Sequence, residues 1–415
     1  MYLLQGIAGL AALIAIAWAF SEDRRAVNWR NVLAALLLQI ALAALLLRVP
    51  WMWGVLLALN TAVDALMAAT RAGTAFVFGY IGGGPPPFEL RDASASFILG
   101  FQALPLILVI SALSALFWHW RILPLIINGF AWVLQRVLGI SGAVGVSTAA
   151  NVFTGMIEAP LLIRPYLPLL SRSELFVVMT GGMATVAGTV MILYAGFLEP
   201  IIPGALGHIL AASVISMPAA ILVAQIMTPE TGSPSGAAGV AQPQYDSAIE
   251  AITAGTFQGM SLIGGIIAML IVLVALTALV NLGLGALPEV SGASLTAQRI
   301  LGWVFAPLMW LIGIPWSEAV PAGALMGTKT VLNELIAYID LAGAGGAELS
   351  ARSRLIMLYA LCGFANFGSL GIMIGGLSAL APERSREIVQ LGMRSILAGT
   401  LATLMTGAIA GLIGG

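Results

Sequence analysis

The stretch "NVFTGMIEAPLLIRP", residues 151–165, places one carboxylate, Glu158, in apolar sequence between a glycine and a proline. The chain around it is 60% hydrophobic and 8% charged, with a mean hydropathy of +1.03. This composition predicts an all-α polytopic membrane protein. An acid inside a membrane costs about 3 kcal/mol or more, so Glu158 is predicted to serve the function of the protein.

Several function classes are excluded by composition. A net charge of −1 without a basic block argues against nucleic acid as a partner. A single cysteine, Cys362, excludes an intrachain disulfide, and two histidines leave little for zinc. No His-Glu-x-x-His motif and no pair of acids occurs within a span, so we predict that the protein is not an enzyme and holds no cofactor.

Uncharged runs of spanning length predict eight transmembrane helices. They cover residues 1–20, 31–47, 93–118, 175–198, 205–227, 256–286, 355–379 and 395–413. Residues 51–72 read as an amphipathic interfacial helix, because Asn60, Asp64 and Arg71 form one polar stripe. The stretch 228–246, rich in Gly, Pro and Ser, predicts a linker in water.

The arginines predict the orientation. One set of loops holds Arg24, Arg25, Arg30, Arg121, Arg136, Arg164, Arg172, Arg384, Arg386 and Arg394, and the other holds Arg48, Arg71, Arg91, Arg299, Arg352 and Arg354. The richer set is assigned to the cytoplasm, so both termini are expected outside the cell.

The two halves of the chain resemble each other. "RVLGIS" (136–141) matches "WLIGIP" (310–315), and about 20 residues later come the acids Glu158 and Glu334. A span rich in Gly and small polar residues follows each acid, "MTGGMATVAGTV" (179–190) and "YALCGFANFGSLG" (359–371), and such residues unwind a helix at low cost. Each unit has three crossings, so the second is inverted, which is typical of secondary transporters.

This pattern predicts four regions. They are N-terminal scaffold spans with the interfacial helix (1–92), a first repeat (93–227), a polar linker (228–255) and a second repeat (256–415). Each repeat contains a re-entrant hairpin, 141–168 or 316–341, and a broken span, 175–198 or 355–379.

The hairpin tips are the first candidate sites. The first is predicted at residues 154–157, with a second helix running from Pro160 and Glu158 at its N-terminus, where free N–H groups favour an anion. A capping acid without a ligand remains an alternative. At the second tip, Asn333 and Glu334 are suited to bind vicinal hydroxyls, or Glu334 pairs with Lys329 or an arginine. In the second broken span, Phe364 is suited to stack on a flat ring, and Asn366 and Ser369 to bind a sugar.

These motifs are similar to those of the bacterial concentrative nucleoside transporters. The resemblance covers residues 93 to 415, and its strongest pieces are "NVFTGMIEAPLLIRPYL" (151–167), "GTKTVLNELIAYIDL" (327–341), "ALCGFANFGSLGIMIGG" (360–376) and the segment 381–415. It implies eight spans, two re-entrant hairpins, interfacial helices and a homotrimer in the bacterial inner membrane. It further implies a symporter that imports nucleosides on a sodium gradient by an elevator-type movement.

The resemblance also implies roles for individual residues. Ribose is expected at Glu334, Asn366 and Ser369, and the nucleobase at Phe364 and Val190 and at the first tip. Sodium is expected at the carbonyl groups of Asn151, Thr154 and Val186 and the hydroxyl of Thr185, an oxygen-only set that suits a hard cation.

One departure from the family pattern concerns the base side. The family usually has Gly-Gln-Thr-Glu at the first tip, where this chain has Gly155, Met156, Ile157 and Glu158. A pocket without those polar groups loses much of its discrimination between bases, so we expect ribose recognition with altered base preference. The alternatives are proton coupling through Glu158 or Glu334, a related ribosyl or more apolar substrate, and a receptor without transport.

Overall fold

The computed structural model describes residues 2–89, 97–232, 235, 245–290 and 292–414. Its first helices are α1 (Tyr2–Ala19), α2 (Trp29–Arg48), α3 (Pro50–Phe78), α4 (Leu106–His119), α5 (Ile122–Leu138), α6 (Gly142–Asn151), α7 (Glu158–Leu161), α8 (Arg172–Ala184) and α9 (Gly188–Leu198). The others are α10 (Ala205–Met227), α11 (Ala248–Gly285), α12 (Ala297–Leu311), α13 (Trp316–Val331), α14 (Glu334–Ala342), α15 (Ala344–Ala347), α16 (Ala351–Leu361), α17 (Phe367–Leu380) and α18 (Ser385–Ile413). No β-strand occurs in these described ranges, which confirms the predicted all-α fold.

Within the part of the chain that the structure describes, six segments are long and apolar enough to cross a membrane. They are Trp29–Arg48, Leu99–His119, Arg172–Leu198, Ala205–Met227, Ala248–Gly285 and Pro382–Ile413. The predicted spans 1–20 and 355–379 correspond in part to the shorter apolar helices Leu3–Ala19 and Phe367–Leu380. The predicted interfacial helix 51–72 lies within α3, and most of the predicted linker lies outside the described residues.

Two segments, α8–α9 and α16–α17, are each broken into two helices inside the protein. Helix α8 begins at a capping box, in which Ser171 and Glu174 bond each other's backbone N–H groups at 2.9 and 3.1 Å. It ends at Ala184, and the extended Thr185 and Ala187 precede α9. The pair α16 and α17 is likewise separated by residues 362–366. Both breaks fall within the Gly-rich stretches identified in the sequence.

The two breaks cross in contact. The backbone N–H of Phe364 donates to the carbonyl oxygen of Thr185 at 3.3 Å. A Cβ atom at Gly363 would lie 2.8 Å from the Met183 carbonyl oxygen, so only glycine fits this crossing without displacing the backbone. The crossing therefore links the first half of the chain to the second at the level of both breaks.

Helices α1 and α2 pack on the second half and on α10. Helix α2 lies against α10 and α18, and α1 against α18 and α12. A buried polar contact joins α2, α18 and α10. The Gln39 side chain donates a hydrogen bond of 3.3 Å to Thr406 Oγ1, and that hydroxyl contacts Ser216 Oγ at 2.9 Å. Interhelical hydrogen bonds of this kind hold helices together in a lipid environment.

Helices α4 and α11 form a second close pair. A Cβ atom at Gly255 would lie 2.5 Å from the Ser111 carbonyl oxygen, and one at Gly259 would lie 3.1 Å from the Cα atom of Leu108. Small residues at such a crossing allow the two backbones to approach closely.

We expect Gly255→Val to destabilise the protein by about 1–3 kcal/mol, because the larger side chain forces α4 and α11 apart. The measurement is the thermal unfolding midpoint of the purified protein in detergent. Gly264→Ala on the same helix is the control, since nothing described lies within 4 Å of its Cβ position. A Gly255→Val protein as stable as this control would contradict the proposed close crossing.

Candidate functional site

The first hairpin tip is a tight turn closed by Glu158. Helix α6 ends at Asn151, Gly155 has a φ of +142°, and Glu158 begins α7. A Cβ atom at Gly155 would lie 2.6 Å from Glu158 Oε2, so the carboxylate folds back over the turn. Its other oxygen, Oε1, accepts a hydrogen bond of 3.2 Å from Gln258 on α11.

The descending arm of this hairpin is less regular than the sequence predicted. Instead of one helix from Pro160, the chain forms the four residues of α7 and a 3₁₀ segment, Arg164–Leu169. Pro165 and Pro168 lack the N–H groups that a continuous α-helix needs, which explains the interruption.

The second hairpin tip presents Glu334 to the centre of the protein. Asn333 caps α14 by accepting a hydrogen bond of 3.0 Å from the Ile336 N–H, and Glu334 is the first helical residue. Glu334 is buried, with 4% of its residue surface exposed. Its Oε1 atom accepts a hydrogen bond of 2.6 Å from the Tyr194 hydroxyl, and its Oε2 atom accepts one of 2.9 Å from the Asn366 amide.

Asn366 is oriented by the second break. Its side-chain oxygen caps α17 by accepting a hydrogen bond of 2.7 Å from the Ser369 N–H, while its amide nitrogen donates one to Glu334. Because both ends of this amide are engaged, Asn366 fixes the second broken helix relative to the second hairpin tip.

One cavity of about 350 Å³ collects these groups. It contains all nine predicted substrate residues: Gly155, Met156, Ile157, Glu158, Val190, Glu334, Phe364, Asn366 and Ser369. Asn333, which the sequence placed at the second tip, also lines the cavity. Sequence reasoning missed two parts of the wall, namely Thr189 and Tyr194 on α9, and Ser261, Leu262, Gly265, Ile266, Met269 and Leu273 on α11. Tyr194 follows Val190 by one helical turn, a spacing that places both on one face and was the available signal.

Met156 and Ile157 are both among the residues that line this cavity. Met156 packs on the α8 backbone, since a Cβ atom at Gly182 would lie 3.0 Å from its own Cβ. Ile157 packs on α17 in the same way, where a Cβ atom at Gly376 would lie 2.9 Å from its Cδ1. The tip therefore contributes two apolar residues and one acidic residue to the lining of the cavity.

The predicted sodium ligands lie where the first tip meets the first break. A Cβ atom at Gly188 would lie 2.8 Å from the Phe153 carbonyl oxygen, so the start of α9 contacts the tip directly. Thr154 and Thr185 donate their hydroxyl protons to the carbonyl groups of Ala150 and Gly181, both at 3.0 Å, which leaves lone pairs on their own oxygens.

Asn151 supplies an independent indication of a cation nearby. Its side-chain oxygen is buried and has no hydrogen-bond partner among the described residues. A buried acceptor without a partner costs about 1–3 kcal/mol, which a bound cation would offset. The predicted ligand atoms are all oxygens, so the residues present fit sodium.

Two hairpins and two broken helices around one cavity that is lined by Glu158 and Glu334 define a membrane transporter rather than an enzyme. Family models described as "Na+ dependent nucleoside transporter" match residues 8–81 (N-terminus) and 208–411 (C-terminus), and one described as "Nucleoside recognition" matches residues 100–201. The chain belongs to the sodium-dependent, concentrative nucleoside transporter family.

Individual relatives agree with this assignment over nearly their full length. The nucleoside permease NupC of Helicobacter pylori is 38% identical over 98% of this chain and 96% of its own. The putative nucleoside permease NupX of Escherichia coli is 35% identical over 99% of both chains. The structure of CNTnw in an inward-facing substrate-bound state, 38% identical, superposes with a TM-score of 0.91 over 100% of both chains.

Proposed function

We propose that the protein is a symporter that imports nucleosides through the bacterial inner membrane, driven by a sodium gradient. The observation that carries the proposal is the convergence of both hairpin tips and both helix breaks on one cavity. A site between inverted halves is open to one side of the membrane at a time when one unit rocks or slides against the other.

The ribose is held at the second hairpin. The Glu334 carboxylate already accepts two hydrogen bonds and has lone pairs for one or two more, which suits the vicinal hydroxyls of ribose. Asn366 and Ser369 complete this polar side, while Phe364 and Val190 offer apolar surface to the flat base.

The sodium ion is held by Asn151, Thr154, Thr185 and Val186. When bound, it satisfies oxygens at the first tip and neutralises their partial negative charge. Because these residues share the tip and the break with the cavity, ordering the ion site also orders the substrate site, and the two ligands favour the same state.

The moving unit contains the hairpins and the broken helices. Helices α4 and α11 form the static part, and α11 contributes one wall of the cavity. Helices α1 and α2 pack on α10 and α18, and the sequence-based assignment of residues 1–92 to the scaffold stays a prediction. Exposed apolar side chains on α11, including Phe257, Ile271 and Leu279, suit a trimer contact or lipid.

Both termini of the chain are proposed to face the outside of the cell.

The test is uptake of labelled adenosine and uridine into proteoliposomes. A sodium gradient alone is expected to drive accumulation, and a proton gradient alone is not. Accumulation driven only by protons would replace sodium with proton coupling, and binding without accumulation would identify a receptor. No uptake or binding of either nucleoside would move the search to other ribosyl or more apolar compounds.

We expect the paired change Met156→Gln and Ile157→Thr to sharpen base preference. It adds hydrogen-bonding groups to the tip, and each well-placed group contributes about 1–3 kcal/mol of discrimination. The measurement is the ratio of kcat/KM for uridine and adenosine, expected to change by about tenfold or more. Ile372→Val, at another lining residue of the cavity outside the first tip, is the control. An unchanged ratio would show that these two positions do not contact the base.

A further inference from the structure

Lys329, the only lysine of the chain, is fully buried in α13. Its ammonium donates to the Ala360 carbonyl oxygen at 3.0 Å and to Thr403 Oγ1 at 3.2 Å. Neither partner is charged, and burial of a cation without a contacting carboxylate costs several kcal/mol. A buried charge retained at this cost is expected to stabilise neighbouring groups that carry negative charge.

One target is the end of α16. Ala360 is the second-last residue of this helix, directly before the second break. The last carbonyl groups of a helix lack intrahelical partners and carry partial negative charge. The Lys329 ammonium satisfies one of them, and the Tyr338 hydroxyl donates to another, the Leu358 carbonyl, at 2.9 Å. Lys329 thus stabilises the break that carries Phe364 and Asn366.

The second target is Glu334, which follows Lys329 across the hairpin turn. The two buried side chains form no direct ion pair with each other, but both are hydrogen-bonded to the second break, Lys329 to Ala360 before it and Glu334 to Asn366 at its end. The groups that touch Glu334, the Tyr194 hydroxyl and the Asn366 amide, are neutral. In a low-dielectric interior a charge acts over a longer distance than it does in water, so Lys329 is a counter-charge for Glu334 without occupying its oxygens.

We propose that Lys329 is a positioning residue that balances the charge of the Glu334 carboxylate and leaves its lone pairs free for substrate. In the second half of the chain it is a tethered cation at the helix break, the place that the proposed sodium ion takes in the first half. The inference rests on the proposed role of Glu334 as a substrate ligand.

The test is a double-mutant cycle in thermal stability, with Lys329→Met, Glu334→Gln and the double variant as purified full-length proteins in detergent. Each single change leaves one buried charge without its counter-charge and is expected to lower the unfolding midpoint. The double variant removes both charges, so its loss is expected to be clearly smaller than the sum of the single losses. Additive losses would overturn the proposal.

A second arm measures adenosine uptake at saturating sodium. Lys329→Met is expected to raise the substrate KM by about tenfold, because Glu334 loses its counter-charge. Thr403→Val is the control, since it removes one hydrogen bond of the ammonium and leaves the charge, and its KM is expected within about twofold of the unchanged protein. Equal effects of the two variants would reduce Lys329 to a helix cap.

Folding failure of Lys329→Met also decides the question. The double variant is then expected to recover the folded protein, because it has no unpaired buried charge. If it also fails to fold, the helix cap alone accounts for Lys329 and the proposal falls. The stability cycle needs neither substrate nor sodium, so it gives a result even if no nucleoside is transported.

Discussion

Glu334→Gln is expected to reduce nucleoside uptake by about 100-fold or more while the protein still folds. The carboxylate accepts hydrogen bonds from two donors, the Tyr194 hydroxyl and the Asn366 amide. A glutamine amide has one acceptor and one donor end, so one of these two groups would face another donor. The charged acceptor for the ribose hydroxyls is lost at the same time, and hydrogen bonds to charged groups contribute about 1.5–3 kcal/mol each.

The measurement is the initial rate of sodium-driven uptake per amount of reconstituted protein. Glu318→Gln is a matched control, because Glu318 lies on the same hairpin outside the cavity and accepts 3.1 Å hydrogen bonds from Ser350. We expect this control to transport within about twofold of the unchanged protein, since its hydrogen bonds are exposed. Retention of most uptake in Glu334→Gln would remove Glu334 from the proposed ribose site.

Local sequence was sufficient to predict the hairpin tips and the helix breaks. Glu158 and Glu334 are costly in an apolar chain, and the Gly-rich stretches that contain Gly182 and Gly363 have a low helix propensity. These signals are local and depend on no distant partner. The resemblance to a family then placed the nine cavity residues in one site, and the geometry brings all of them together.

Contacts across the chain could not be predicted in this way. Nothing in the local sequence of α11 indicates that Ser261 or Met269 lines the cavity, because an apolar spanning helix has the same composition toward lipid as toward a pocket. The hydrogen bond from Gln258 to Glu158 joins residues 100 positions apart. The packing of α1 and α2 on α10 and α18 likewise follows from long-range complementarity between helix faces, which sequence periodicity does not encode.

Gly363→Ala is expected to impair both halves of the site at once. Its added methyl group would lie 2.8 Å from the Met183 carbonyl oxygen and 3.0 Å from the Ala184 carbonyl carbon. These are backbone atoms of the first break, so no side chain can rotate away and the two breaks must separate. Overpacking of this kind costs about 1–3 kcal/mol in stability.

The uptake rate is expected to fall by more than the loss of folding stability alone would cause. Separation of the breaks weakens the hydrogen bond from the Phe364 N–H to the Thr185 carbonyl and moves Thr185, a proposed sodium ligand, together with Asn366, a proposed ribose ligand. We therefore expect uptake to fall by about tenfold or more, with a higher sodium concentration for half-maximal rate. Gly371→Ala in α17 is the control, because no described atom lies within 4 Å of its Cβ position. A Gly363→Ala protein with unchanged sodium dependence would show that the crossing of the breaks does not link the ion site to the substrate site.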